Sequence, residues 1–150
     1  MSDLYEDDIA AWASRQADLL RHRASNELDW DNIAEEIADV GRSEEREVES
    51  RLAIACEHLL KWEFQPGRRS NSWRASVVQA RTRIARVIRR NPSLKPYPAT
   101  VLADAYRDGR DVAEAESGLL HLPETCPWTI EQVLDRTFWP GLPWEADEPT

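Results

Sequence analysis

The chain is predicted to be all-α: a helical bundle of four main helices plus one short C-terminal helix, with no significant sheet. Three observations lead there. Glycine is scarce, at 5 of 150 residues, while Ala, Glu, Arg and Leu dominate, a composition that favours helix. Apolar residues recur at the 3.6-residue period, and no segment alternates strictly between turn signals. The segments are separated by short Pro-, Gly- and Asn-bearing breaks, the connections a bundle needs. One domain over residues 1–144 and a flexible tail over 145–150 are expected.

The first helix is expected from about Asp7 to Arg23. Asp7 and Asp8 suit its positive end, and Ile9, Trp12, Ala13, Gln16, Leu19 and Leu20 keep the period. The second starts near Asp29, a capping residue, and carries Ile33, Ile37 and Val40 as its first stripe. Past Gly41 the period resumes with Val48, Leu52, Ala55, Leu59 and Trp62, giving one long helix stopped by Pro66-Gly67. From Leu52 to Leu60 it is apolar nearly all round, so this stretch should be the centre of the core. The third helix begins at Ser70 or Ser72 and lines up Trp73, Val77, Ala80, Ile84, Val87 and Ile88 before Asn91-Pro92 ends it. The fourth follows Pro96-Tyr97-Pro98 with Thr100 as cap, turns Leu102, Ala105, Tyr106, Gly109, Val112 and Ala113 inward, and closes at Gly118. In the short fifth, Thr129 and Gln132 match a capping box. The aromatics of Phe138 to Trp144 should fold back onto the bundle.

The formal net charge is −9, and no apolar run reaches the roughly 20 residues a membrane span needs. An acidic start with no apolar stretch is unlike a secretory signal, so a cytoplasmic protein without membrane contact is expected. Cys56 and Cys126 are far apart and should stay reduced; no CxxC occurs. GxSxG, P-loop and GxGxxG patterns are all missing, so serine-hydrolase and nucleotide chemistry lack support.

Charge is unevenly spread. From Lys61 to Lys95 there are ten basic residues and one acid. Arg68, Arg69, Arg74 and Arg81 are the candidates for binding nucleic acid or another anion. Arg74 and Arg81 flank one side of the apolar stripe, however, and Arg83 and Arg90 the other. A groove-reading helix gathers its arginines on one face, so these should mostly meet carboxylates of the same protein or water. His58 sits in an apolar helix, and with Lys61 and Glu36 it is the candidate for catalysis. No histidine has Glu three residues before it, so the di-metal pattern of helical bundles is missing and neither metal nor cofactor is expected. His58 is instead expected to be held in the core by one hydrogen bond to a carbonyl or carboxylate. Of seven tryptophans, Trp12, Trp62 and Trp73 read as core. Trp128, Trp139 and Trp144 lie in Pro-rich loops, as partner anchors or as loop-to-core packing.

Tyr5-x-Asp7, Trp12, Leu28-Asp29-Trp30, Glu35-Glu36-Ile37 and His58-Leu59-Leu60-Lys61-Trp62 then occur in order, followed by Gln65-Pro66, Ser72-Trp73, Pro92-Ser93-Leu94, Tyr106 and Cys126-Pro127-Trp128. With these the chain resembles the bacterial domain-of-unknown-function family 29, from Leu4 to about Pro140. The resemblance implies a small, wholly helical, stand-alone protein with no assigned activity, and it supplies no catalytic residues. The leading functional expectation is therefore a non-enzymatic module that binds protein, itself included, with Trp73, Trp128 and Trp139 among the contact candidates. The alternatives are anion or nucleic-acid binding through the 68–90 segment, and a small enzyme or metal site at His58.

Overall fold

The computed structural model describes residues 3–144, so the tail expected over 145–150 lies outside the described residues. Six α-helices follow in order: α1 (Leu4–Asp7), α2 (Ile9–Arg21), α3 (Trp30–Phe64), α4 (Asn71–Arg90), α5 (Tyr97–Ser117) and α6 (Ile130–Leu134). Among the described residues there is no strand, and no helix is long and apolar enough to cross a membrane. The expected first helix is α2; Asp8, whose backbone leaves the helical region, caps it by accepting from the Ala11 N–H and separates it from α1, a short helix that the sequence reading did not include. Ser70 caps α4, Gly118 ends α5 in the left-handed conformation, and Thr129 and Gln132 form the full capping box of α6. Thr100 is not the cap of α5. Two prolines near the helix start, needing no N–H partner there, let it begin at Tyr97.

The chain divides into two compact units, residues 1–43 and 44–150, with α3 running from the first into the second. In the N-terminal unit, α1, α2 and the first turns of α3 form a small helical hairpin. Only Trp12 and Gln16 of α2 are buried, and the unit is held largely by polar bonds. Trp12 Nε1 donates to Asp29 at 3.1 Å, the Asp29 N–H donates to Gln16 Oε1 at 2.9 Å, and Tyr5 donates to Glu36 at 2.6 Å. Tyr5 also meets Trp12 edge to face at 4.8 Å.

The C-terminal unit holds the apolar core: Val48, Leu52, Ala55, Cys56, Leu59 and Leu60 of α3 against Val77, Ala80 and Ile84 of α4 and Ala105, Tyr106 and Ala113 of α5. Every residue named is essentially inaccessible, so the Leu52–Leu60 stretch is the core centre that its all-round apolar surface predicts. Gly109 lets α5 come close to α3, since a methyl there would press on the Ala53 carbonyl oxygen and lie 2.9 Å from the Glu57 nitrogen. The expected inward stripes fail at Ile37 and Val40, two-thirds exposed, and at Val112, also exposed.

Candidate functional site

Of the sequence candidates, the structure gathers His58 and Lys61 at the end of α3 with two residues that spacing did not single out, Glu57 and Glu116. Glu57 and Lys61 are one helical turn apart on α3 and so share a face. The Lys61 ammonium is buried, bonds to Glu116 at the end of α5, lies 3.5 Å from Glu57 Oε2, and sits over the Trp73 ring at 5.8 Å. His58 Nε2 meets Glu57 Oε2 at 2.8 Å, while its buried Nδ1 has no partner. Burial alone would push the Glu57 carboxyl up. The bonds and charges of His58 and Lys61 together outweigh that, so it lies below its usual range. A nucleophilic lysine needs a desolvated or cation-flanked amine. Lys61 is buried but paired with the carboxylates of Glu57 and Glu116, an ion-pair hub joining α3 to α5. Glu36 belongs to the N-terminal unit, where Tyr5 occupies it. Among the described residues no group of three or more His, Cys, Asp or Glu is placed to hold a metal ion.

The arginines are spent differently from expectation. Arg81 is buried rather than solvated, and its partners are backbone carbonyls, not carboxylates: Val133 at 2.7 Å, Phe138 at 2.9 Å and Gln132 at 3.4 Å. Burial pulls its guanidinium down to about 10, against the opposing charge of Asp135. Arg69 likewise donates to the carbonyls of Trp62 at 2.8 Å and Leu142 at 2.6 Å, and stacks on Trp62 at 4.9 Å. Arg74 lies over Trp139 at 5.8 Å and Trp144 at 5.9 Å, while Arg68 is exposed. Trp139 and Trp144 both meet Trp62, at 4.8 and 5.0 Å. The tail thus folds back as expected, with Gly141 at φ +85° making the turn that an L side chain would strain. Trp128 is buried edge to face with Tyr106 at 6.3 Å. Trp128 and Trp139 therefore serve the packing of their own unit.

Two further features take their meaning only from the fold. Cys56 is buried on α3 and Cys126, 70 residues later, is half-buried on a cavity wall with its sulfur donating to the Trp128 carbonyl at 3.3 Å, both free. The other is an open groove in the N-terminal hairpin, lined by Trp12, Ala13, Ala17 and Leu20 of α2 and Ile33, Ile37 and Val40 of α3, with Glu36 at its edge. Leu20, Ile37 and Val40 are 47, 67 and 66% exposed. The helical period revealed this stripe; only the fold shows that the described chain leaves it uncovered.

Residues 4–139 match a family model described as Domain of unknown function DUF29. No curated protein and no solved structure matches the chain.

Proposed function

The chain belongs to the DUF29 family, and we propose that it is a non-enzymatic interaction module whose N-terminal hairpin receives an amphipathic helix with a basic polar face. The open apolar groove between α2 and α3 carries the reading. Three aliphatic side chains about half or more exposed in one channel form the kind of surface that a helix docks into through residues one turn apart. Charge selects the occupant. Residues 3–43 hold eleven acids and four arginines, so a cationic partner is drawn in and an anionic one repelled. A second copy would bring the same acidic rim to the contact, which disfavours groove-on-groove pairing. Anion binding is supported less, because Arg69 and Arg81 are committed to backbone carbonyls of the same unit.

Calorimetry with two synthetic helices of on the order of 18 residues, or five turns, tests this. Both carry a leucine stripe; one has lysines on its polar face and the other glutamates. The lysine helix should bind at least about tenfold tighter, a difference of about 1.4 kcal/mol. Ile37→Asp should abolish that binding although it adds negative charge, which separates seating in the groove from loose attraction. Equal binding of both peptides, or none to a monomeric chain, overturns the reading. A dimer that Ile37→Asp converts to monomer gives the groove to a second copy instead.

A further inference from the structure

We infer that the recess between α4 and the loop after α6, lined by Val78, Arg81, Thr82 and Arg136, binds a small oxyanion of the phosphate type. The site is independent of the N-terminal groove and its occupant. It also differs from a basic face along residues 68–90, because Arg68, Arg69 and Arg74 take no part in it.

Burial sets the shape of the site. Arg81 is only 3% exposed, Thr82 is half-buried, and Val78 and Arg136 are exposed, so one guanidinium lies at the floor and a second at the mouth. The volume is about 100 Å³, the liquid share of roughly three waters. That is room for one phosphoryl group and not for a base or a sugar. The donors suit such a guest. Arg81 gives Nε and Nη2 to the carbonyls of Val133, Gln132 and Phe138, which holds its side chain in place, and the Trp139 ring lies 5.2 Å from its guanidinium carbon. Those bonds leave Nη1 over: it is buried and has no acceptor among the described residues. The Thr82 hydroxyl and the Arg136 guanidinium likewise have no hydrogen bond or ion pair among them. No acid lines the recess. Asp135 acts on Arg81 through its charge but makes no ion pair with it, and its carboxylate accepts from the Thr137 N–H and hydroxyl, both at 2.8 Å.

Binding the end of α6 accounts for two of the three nitrogens of Arg81. It leaves a buried cation whose partners are all neutral, and a buried charge without its opposite is costly. A phosphate-type anion supplies what these contacts do not. Its several oxygens can accept from Arg81, Thr82 and Arg136 together, and its charge offsets both guanidiniums. A planar guanidinium fork also matches the spacing of two phosphate oxygens. A chloride ion is a single centre and cannot be shared among three donors in this way, so the recess selects oxyanions over halide. The chemistry is the same whether the phosphoryl group is free or ends a larger molecule that stays outside the mouth.

Titrating the full chain with sodium phosphate near neutral pH, against sodium chloride at equal ionic strength, and following backbone amide NMR shifts tests the inference. Phosphate should move the amides of residues 78–82 and 135–137 along one saturable curve, and chloride should not. Arg136→Gln should weaken phosphate roughly tenfold or more, the loss of one hydrogen bond to a charged group. Arg83→Gln removes an exposed arginine of the same helix that does not line the recess, and should leave the affinity unchanged. Both replaced side chains are exposed, so neither variant puts the fold at risk. Methyl phosphate binding as tightly as phosphate assigns the recess to a phosphoryl group on a larger molecule; binding weaker by about tenfold or more assigns it to the free ion. No saturable shift with phosphate, shifts confined to other residues, or equal weakening by Arg136→Gln and Arg83→Gln overturns the site.

Discussion

Two tyrosines, one in each unit, are pushed up to about 12, and they differ in cause. Tyr5 is raised mainly by the hydrogen bond it gives Glu36, whereas Tyr106 is raised mainly by burial among the apolar side chains of α3, α5 and the loop before α6. That contrast holds for the units as wholes. The C-terminal unit is built by excluding water, while the N-terminal hairpin buries two side chains of α2 and relies on a few polar bonds made to a half-wet surface. A unit of the first kind is costly to alter. One of the second kind is cheap to alter and leaves apolar surface free to be covered by something else.

The comparison is sharpest at the core centre. Leu59→Ala should destabilise the chain by about 2–5 kcal/mol in urea unfolding, the range for truncating a buried leucine. A loss below about 1 kcal/mol would mean that the C-terminal unit is as loosely built as the hairpin. Next comes Gly109→Ala. The added methyl meets backbone atoms of α3, which cannot swing aside as a side-chain tip can, so a cost of about 1–3 kcal/mol is expected. A neutral result would show that α5 can back away from α3 freely.

Tyr5→Phe probes the polar unit through pH. A group whose folded pKa is raised contributes stability that is whole below its unfolded value of 10.0 and lost as pH climbs through about 12. The hairpin in the wild-type chain should therefore loosen across that window, measured by amide exchange confined to residues 3–43. In Tyr5→Phe the alkaline step in this segment should vanish. An unchanged step would place the titration elsewhere. The smallest effect is at the groove. Ile37→Asp should change stability by no more than about 0.5 kcal/mol, since the side chain it replaces is already exposed. A loss like that of Leu59→Ala would show Ile37 to be covered in solution.

Most of the helical frame was legible because its signals are local. Ser70, Gly118 and the Thr129–Gln132 box act within one turn of where they stand in the chain. Three things were not. Periodicity says which residues share a face but not whether anything lies on it, which is why Ile37, Val40 and Val112 read as core. A guanidinium suggests a surface until its acceptors are known, and those of Arg81 come from carbonyls 51 to 57 residues away. The hub around Lys61 was half visible: Glu57 is one turn away, but Glu116 is 55 residues on and joins only when α5 packs.

The late arrival of those carbonyls has a consequence for how the chain is made. α4 can coil as soon as it leaves the ribosome, but Arg81 then carries a charge beside an apolar stripe with no acceptor for it. Its acceptors, and the Trp139 and Trp144 rings that seal Trp62, are translated only after α5 and the long loop behind it. Until then the α3–α4 pair must leave that flank hydrated, because a buried unpaired cation costs more than the burial returns. Closure of the larger unit is thus timed by its last dozen described residues. A nascent chain stalled before Val133 should be recognised by proteases and chaperones as unfinished, however helical it already is.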